Sequence, residues 1–147
     1  MATVRRVCAK VLLVDAQDRV FLFSGIDRTR PDDPPTWFPV GGELEGNETL
    51  EAAAVRETAE ETGFQVTELG PPVCTRRFEW NFEGTSFDQE ETYFLVRTPG
   101  FTPRDHGWTD LEKATVVGHH WWTLEELRET REVVFPEDLA QLLDRLL

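Results

Sequence analysis

Residues 41–64, GGELEGNETLEAAAVRETAEETGF, constrain the fold and chemistry of this chain more than any other stretch. Glu57, Glu60 and Glu61 follow one another at spacings i, i+3 and i+4, so on a helix their carboxylates share one face. Like charges at these spacings destabilise a helix by about 0.2–0.5 kcal/mol per pair. Hard divalent cations such as Mg²⁺ bind carboxylate oxygens and would turn this repulsion into a binding site. The pattern therefore predicts a helix with a metal-binding face.

The residues around these glutamates predict how the helix begins, packs and ends. Asn47 or Thr49 can cap the first turn, and Gly63 stands where a helix ends in a left-handed residue. The pair Gly41-Gly42, before the cap, allows the main chain to approach a ligand closely. The opposite face would pack closely against a sheet through three small apolar residues: Ala52, Val55 and Ala59.

These residues resemble a known family signature. The order is Gly42, five residues, Glu48, seven residues, Arg56-Glu57, Thr58, one residue, Glu60-Glu61, one residue, Gly63 and Phe64. This order resembles the Nudix box, the signature of hydrolases that cleave a nucleoside diphosphate linked to another group. The departures are mild: Thr58 replaces an aliphatic residue, Pro-Val-Gly-Gly replaces Pro-Gly-Gly, and Gly46-Asn47 inverts the common order before the glutamate.

The resemblance implies both a cofactor and a set of site residues. The cofactor would be Mg²⁺, with Mn²⁺ as a substitute. Its ligands would be Glu57, Glu60, Glu61 and the main-chain oxygen of Gly41. The catalytic residues would be Arg56, Glu57, Glu60 and Glu61. Arg56 and Glu48 would hold the loop and orient the ligands, although eight positions separate them, so contact requires Glu48 to fold back from the loop.

The general base is left open by the sequence. It is either a glutamate of the box or a carboxylate from elsewhere in the chain, and metal-assisted attack by water is compatible with both. Three candidates outside the box are not separated by sequence: Glu90, Glu91 and Glu112.

The implied reaction is hydrolysis of a diphosphate linkage in a nucleoside diphosphate derivative, releasing a nucleoside monophosphate. Trp80 occupies the place of the proline that marks ADP-ribose enzymes, and Tyr93, the only tyrosine, does not stand where dinucleoside polyphosphate enzymes carry theirs. Nucleoside triphosphates, including oxidised ones, are therefore the default substrate. The base or sugar would be read by aromatic residues, with four candidates: Trp37, Phe78, Trp80 and Trp108.

Two other classes of function compete with this interpretation. A non-catalytic Nudix-fold domain that binds or senses nucleotides would be marked by degenerate box glutamates, and here all of them are intact. An acidic Ca²⁺-binding protein would carry the alternating acidic ligands of an EF-hand loop, whereas these glutamates lie on a predicted helix.

Length and charge limit the remaining choices. The 147 residues are most simply one domain, 1–147, with a core of its own. The formal charge of −13 disfavours duplex nucleic acid as a partner and leaves a small nucleotide bound through metal and a few cations as the expected partner.

The sequence shows neither a signal peptide nor a long apolar run, so we expect a soluble, cytoplasmic protein without a membrane partner. A homodimer is left open. Cys8 and Cys74 lack the spacing of metal ligands, so we expect both to be small buried residues.

Periodicity along the chain predicts an α/β fold. Strands are predicted at 4–14, 19–25, 73–82, 86–98 and 115–122, with loops at 26–36 and 99–114. Thr123 opens one helix with a capping box, and Pro136 opens the last, which carries a leucine stripe. This order fits a mixed sheet between helices, and the family resemblance implies the Nudix α/β/α sandwich.

Overall fold

The computed structural model describes residues 3–147, so the first two residues of the expected domain lie outside the described part. Strands and helices follow in the order β1 Val4–Val14, β2 Val20–Gly25, β3 Thr36–Phe38, β4 Val40–Glu43, α1 Leu50–Thr62, β5 Cys74–Phe82, β6 Thr85–Arg97, α2 Asp110–Thr115, β7 Val116–Trp122, α3 Leu124–Glu129, β8 Val133–Val134 and α4 Leu139–Leu146. No helix within residues 3–147 combines the length and apolarity needed to cross a bilayer.

The strands form one mixed sheet, eight-stranded within the described residues, in the order β5-β6-β1-β2-β3-β8, with β4 also on β1 and β7 also on β2. Strand β1 lies parallel to β6 along its whole length, from Val4 opposite Phe87 to Val14 opposite Arg97. On its other side β1 pairs first with β4 and then, at its end, with β2. The neighbour of β1 thus changes along its length, and the middle of β1, at Ala9 and Lys10, lies opposite the glycine pair.

Two apolar clusters fill the two sides of the sheet. Ala53 and Ala54 of α1 pack on one side, against β-strand residues such as Phe94. Leu139, Leu142 and Leu143 of α4 pack on the other. Helices on both faces of a mixed sheet make the predicted α/β/α arrangement, and the two half-cores hold it together. Neither cysteine is in a disulfide; Cys8 is buried and Cys74 half-buried.

Several local predictions are confirmed. Thr49 caps α1, its hydroxyl accepting a hydrogen bond from the Ala52 amide at 3.1 Å, and Gly63 ends the helix at φ 82°. Strands β5 and β6 form the predicted hairpin around Glu83 and Gly84. The leucine stripe is confirmed as the buried face of α4, although the helix begins at Leu139 rather than at Pro136.

The predicted packing face of α1 was wrong. Ala52 is exposed, and the buried residues of the helix are Ala53, Ala54, Thr58, Glu61 and Thr62. The helix is rotated so that Glu61 faces the sheet, where the main-chain amide of Gly41 donates to its carboxylate at 2.9 Å. A buried carboxylate needs such a partner, so this hydrogen bond makes the rotation tolerable.

Four elements were missing from the sequence prediction, the strands β3, β4 and β8 and the helix α2, and two of them, β4 and α2, shape the candidate site. Strand β4 runs through the glycine pair, because Gly41 lies opposite Lys10 and Gly42 opposite Ala9 in the ladder with β1. Helix α2 begins at Asp110, inside the segment 99–114 that was expected to be a loop, and ends at Thr115, one residue after that segment. A capping box formed by Thr109 and Glu112 opens this helix.

Candidate active site

The candidate site forms where the β4 loop meets helix α1. Gly41 adopts φ 139°, and a Cβ there would lie 2.1 Å from the Ala9 carbonyl oxygen. A Cβ at Gly42 would lie 2.6 Å from a carboxylate oxygen of Glu57. Only glycine fits at Gly41, because a side chain there would push the strand off β1, whereas a side chain at Gly42 would displace the Glu57 carboxylate. The glycine pair thus brings bare main chain against the glutamates of α1.

Arg56 links the loop to the helix. Its guanidinium donates to the two carboxylate oxygens of Glu48 at 2.7 and 2.9 Å and to the main-chain oxygen of Glu43 at 3.1 Å. Glu48 lies in the loop before α1 and folds back, which is the condition that the sequence set for this contact. The hydrogen bonds from Arg56 lower the pKa of Glu48 to about 2, so this pair stays ionised. Arg56 therefore fixes the loop over the first turns of α1.

The three box glutamates occupy different environments. Arg56 also donates to Glu57 at 3.1 Å and to Glu60 at 3.0 Å. The Glu57 side chain is 13% exposed and that of Glu60 43%, whereas Glu61 is buried. Glu61 thus points to the sheet and Glu60 to solvent, with Glu57 between them.

A fourth carboxylate joins this group from outside the box. Burial raises the pKa of Glu61 well above its usual range; Lys10 acts against this shift, while Glu57 and Glu112 add to it. Burial also raises the pKa of Glu57; Arg56 lowers it, and the negative charges of Glu60 and Glu112 add to the rise. Glu112 thus acts electrostatically on both Glu57 and Glu61. Carboxylates that raise one another's pKa are stabilised by a cation placed between them.

Trp108 holds Glu112 in this position. Its indole N–H donates to the main-chain oxygen of Glu61 at 2.7 Å, and its ring packs edge-on against Phe23 at 5.6 Å. Trp108 directly precedes the α2 capping box, in which Glu112 accepts a hydrogen bond from the Thr109 amide at 2.8 Å. The tryptophan thus anchors α2 to the end of α1.

The other two candidate bases lie elsewhere. Glu91 is buried and accepts hydrogen bonds from the Gln89 amide and the Tyr93 hydroxyl, each at 2.5 Å. Glu90 is 38% exposed and lies 3.8 Å from Arg5 at the start of β1. The structure therefore brings only Glu112, of the three candidates, to the box glutamates.

The remaining aromatic candidates are divided between two regions. Phe78 packs against Phe135 with ring centroids 4.7 Å apart, and Trp80 donates to the Gln89 side chain at 2.9 Å on the same side of the β5–β6 hairpin. Trp37 instead packs against Trp122, with ring centroids 5.2 Å apart.

The donor set suits a hard divalent cation, since every candidate ligand offers oxygen. As the side chains stand, however, no three acidic, histidine or cysteine residues within residues 3–147 lie close enough together to hold one ion. Arg56 contacts two of the candidate ligands, Glu57 at 3.1 Å and Glu60 at 3.0 Å.

Comparison with known proteins identifies the family. The NUDIX domain model matches residues 4–143. The chain therefore belongs to the Nudix family, and the match and the fold together support its assignment to the Nudix pyrophosphohydrolases.

Solved structures share this fold at low sequence identity. A MutT NUDIX hydrolase from Burkholderia pseudomallei is 19% identical, with 97% of this chain and 98% of that chain covered at a TM-score of 0.68. The dihydroneopterin triphosphate pyrophosphohydrolase of E. coli is 20% identical, with 97% of each chain covered at 0.64. The NUDIX domain of Shewanella oneidensis NrtR, solved with ADP ribose, is 17% identical, with 99% and 87% covered at 0.65. At these identities the likeness shows the fold alone.

Proposed function

We propose that residues 1–147 form a single domain that hydrolyses a diphosphate linkage in a nucleoside diphosphate derivative, with nucleoside triphosphates as the first substrates to test. The observation that carries this proposal is the close approach of the glycine pair to two box glutamates: the Gly41 amide donates to Glu61 at 2.9 Å, and a Cβ at Gly42 would lie 2.6 Å from a carboxylate oxygen of Glu57. Negative charge concentrated on oxygen donors beside bare main chain suits metal-assisted phosphate chemistry.

Each residue has a proposed role. Glu57, Glu60 and Glu61, with the Gly41 main-chain oxygen, would hold Mg²⁺ or Mn²⁺. Such a cation neutralises charge that develops on the phosphate oxygens. Arg56 positions the glutamates, through the contacts with Glu48 that fix the loop. These assignments rest on the box spacing together with the contacts around Arg56.

Glu112 is the proposed general base. It belongs to α2, whose capping box directly follows Trp108, and Trp108 donates to the Glu61 main chain at 2.7 Å, so Glu112 can accept a proton without leaving the group of metal ligands. Water attacks one phosphorus atom, the bond from that phosphorus to the bridging oxygen breaks, and the proton passes from the water to Glu112. A nucleoside monophosphate and the remaining phosphorylated group are released.

Removal of divalent metal tests this proposal. We expect hydrolysis to stop in excess EDTA and to return with Mg²⁺ at roughly millimolar concentration, as for carboxylate sites that leave waters on the ion. Metal should also raise the melting temperature, because an ion that binds only the folded state at 100 times its Kd adds about 2.7 kcal/mol to the free energy of unfolding. The measurements are product release across a nucleotide panel and a thermal melt, each with and without metal.

Two controls sharpen this test. Substrate hydrolysis without added protein gives the metal-catalysed background. Replacement of Mg²⁺ by Ca²⁺, in both the melt and the hydrolysis assay, measures metal binding separately from catalysis. Undiminished hydrolysis in excess EDTA would contradict the proposal that the reaction depends on a divalent metal.

A further inference from the structure

Lys10 is a charged residue inside an apolar strand. Its charged side chain interrupts the apolar run of β1, with Ala9 before it and Val11, Leu12 and Leu13 after it. Lys10 is itself only 8% exposed. Within residues 3–147 it is the only basic side chain that is buried. Its ammonium nitrogen is not among the fully buried polar atoms that lack a hydrogen bond, so the stem of the side chain is buried while its charged end reaches solvent.

No ion-pair partner contacts Lys10 in the part of the chain that the structure describes. Its nearest recorded contact is the ring of Phe38, with the ammonium nitrogen 5.6 Å from the ring centroid. The arginines near the sheet differ in this respect: Arg56 pairs with Glu48 at 2.7 Å and Arg76 with Asp138 at 2.7 Å. A chain of net charge −13 therefore leaves its most buried cation without an ion pair.

The backbone places Lys10 at the candidate site. Lys10 lies opposite Gly41 in the β1–β4 ladder, and the Gly41 amide donates to Glu61 at 2.9 Å. The positive charge of Lys10 acts on Glu61, since it opposes the effect of burial and of the neighbouring carboxylates on the pKa of that residue. Lys10 thus lies opposite the residue that holds Glu61, and within residues 3–147 it forms no ion pair with a carboxylate.

We propose that Lys10 is a phosphate-binding residue, whose ammonium donates to an oxygen of the substrate diphosphate held at the glutamate cluster. This inference rests on the proposed function and adds a residue outside the box. The diphosphate of the substrate supplies the anion that Lys10 lacks in the free protein. Lys10 in turn supplies a positive charge from the protein itself, on the side of the site that the sheet forms. An unpaired ammonium in the free protein is then understandable, because its partner is the substrate.

The test uses Lys10→Met, which keeps the length of the side chain and removes its charge. Lys113→Met is a matched control, because Lys113 is exposed and is the only other lysine in the chain. The probe is methylenediphosphonate with Mg²⁺, a non-hydrolysable diphosphate, and binding is measured by calorimetry. We expect Lys10→Met to weaken binding at least about tenfold, Lys113→Met to have no effect and Lys10→Arg to recover part of the affinity.

Stability separates a binding role from a structural one. Within residues 3–147 Lys10 makes no ion pair that the substitution would remove, and methionine keeps the apolar stem, so Lys10→Met should melt at about the wild-type temperature while binding the probe more weakly. A lower melting temperature with unchanged binding would show that Lys10 stabilises the fold, and the proposal would be overturned.

A measurement on the wild type does not depend on how the variant folds. With only two lysines, carbon-13 labelling at Cε gives two resonances, assigned with Lys113→Met. We expect the Lys10 resonance alone to shift when methylenediphosphonate is added with Mg²⁺. Binding of the probe without that shift refutes the role of Lys10 and leaves the proposed function standing. No binding of the probe and no metal-dependent hydrolysis would reject both.

Discussion

Glu61→Gln is expected to lower the hydrolysis rate at least about 10²-fold, because it removes one negative charge from the metal ligands while keeping their shape. The amide oxygen of glutamine can still accept the hydrogen bond that Gly41 donates to Glu61 at 2.9 Å. The metal-free protein should be at least as stable as the wild type, because a buried carboxylate and its repulsion with Glu57 are removed together. Steady-state kinetics and thermal melts measure the two effects.

Glu51→Gln is the matched control for this variant. Glu51 lies on the exposed side of the same helix, in its first turn, so the substitution changes the net charge equally without touching the site. We expect the control to keep the wild-type rate. If Glu61→Gln kept more than half of that rate, the metal site would have to lie away from this face of α1.

Glu112→Gln should lower kcat by about 10²- to 10⁴-fold, the contribution that a general base usually makes. Glutamine at the third position of a helix preserves a capping box, so α2 and its contact with Thr109 should remain intact. Metal affinity should change much less than in Glu61→Gln. The measurements are kcat at saturating metal and Mn²⁺ binding followed by electron paramagnetic resonance.

Asp110→Asn serves as the control for Glu112→Gln, since Asp110 is exposed in the first turn of the same helix. The pH dependence of kcat offers a second readout, because loss of the base should abolish the acidic limb of the profile. A wild-type kcat in Glu112→Gln would return the role of base to a box glutamate.

The spacing of residues predicted the helix, its cap and the residues of the box, because each depends on neighbours within a turn or two. Thr49 and Gly63 show this most clearly, as local backbone chemistry determines both ends of α1. The rotation of the helix was not predictable in the same way. It depends on the hydrogen bond between Gly41 and Glu61, which forms only when β4 pairs with β1.

Long-range contacts also explain why Glu112 could not be separated from Glu90 and Glu91 by sequence. All three are acidic residues downstream of the box, and only the packing of Trp108 against α1 brings one of them to it. A local signal was nevertheless present, since Thr109 and Glu112 form a capping box that marks a helix in the expected loop. Lys10 carried a comparable signal as a lone charge within an apolar run.

The most direct test of the central claim is the identity of the first products released from a nucleoside triphosphate by the wild-type protein in ¹⁸O-labelled water. Cleavage of a diphosphate linkage predicts a nucleoside monophosphate and pyrophosphate in equal amounts, with the label in one of the two and none in orthophosphate. Chromatography and mass spectrometry of the early reaction resolve these species. Orthophosphate as the first product, with nucleoside monophosphates themselves consumed, would contradict the account.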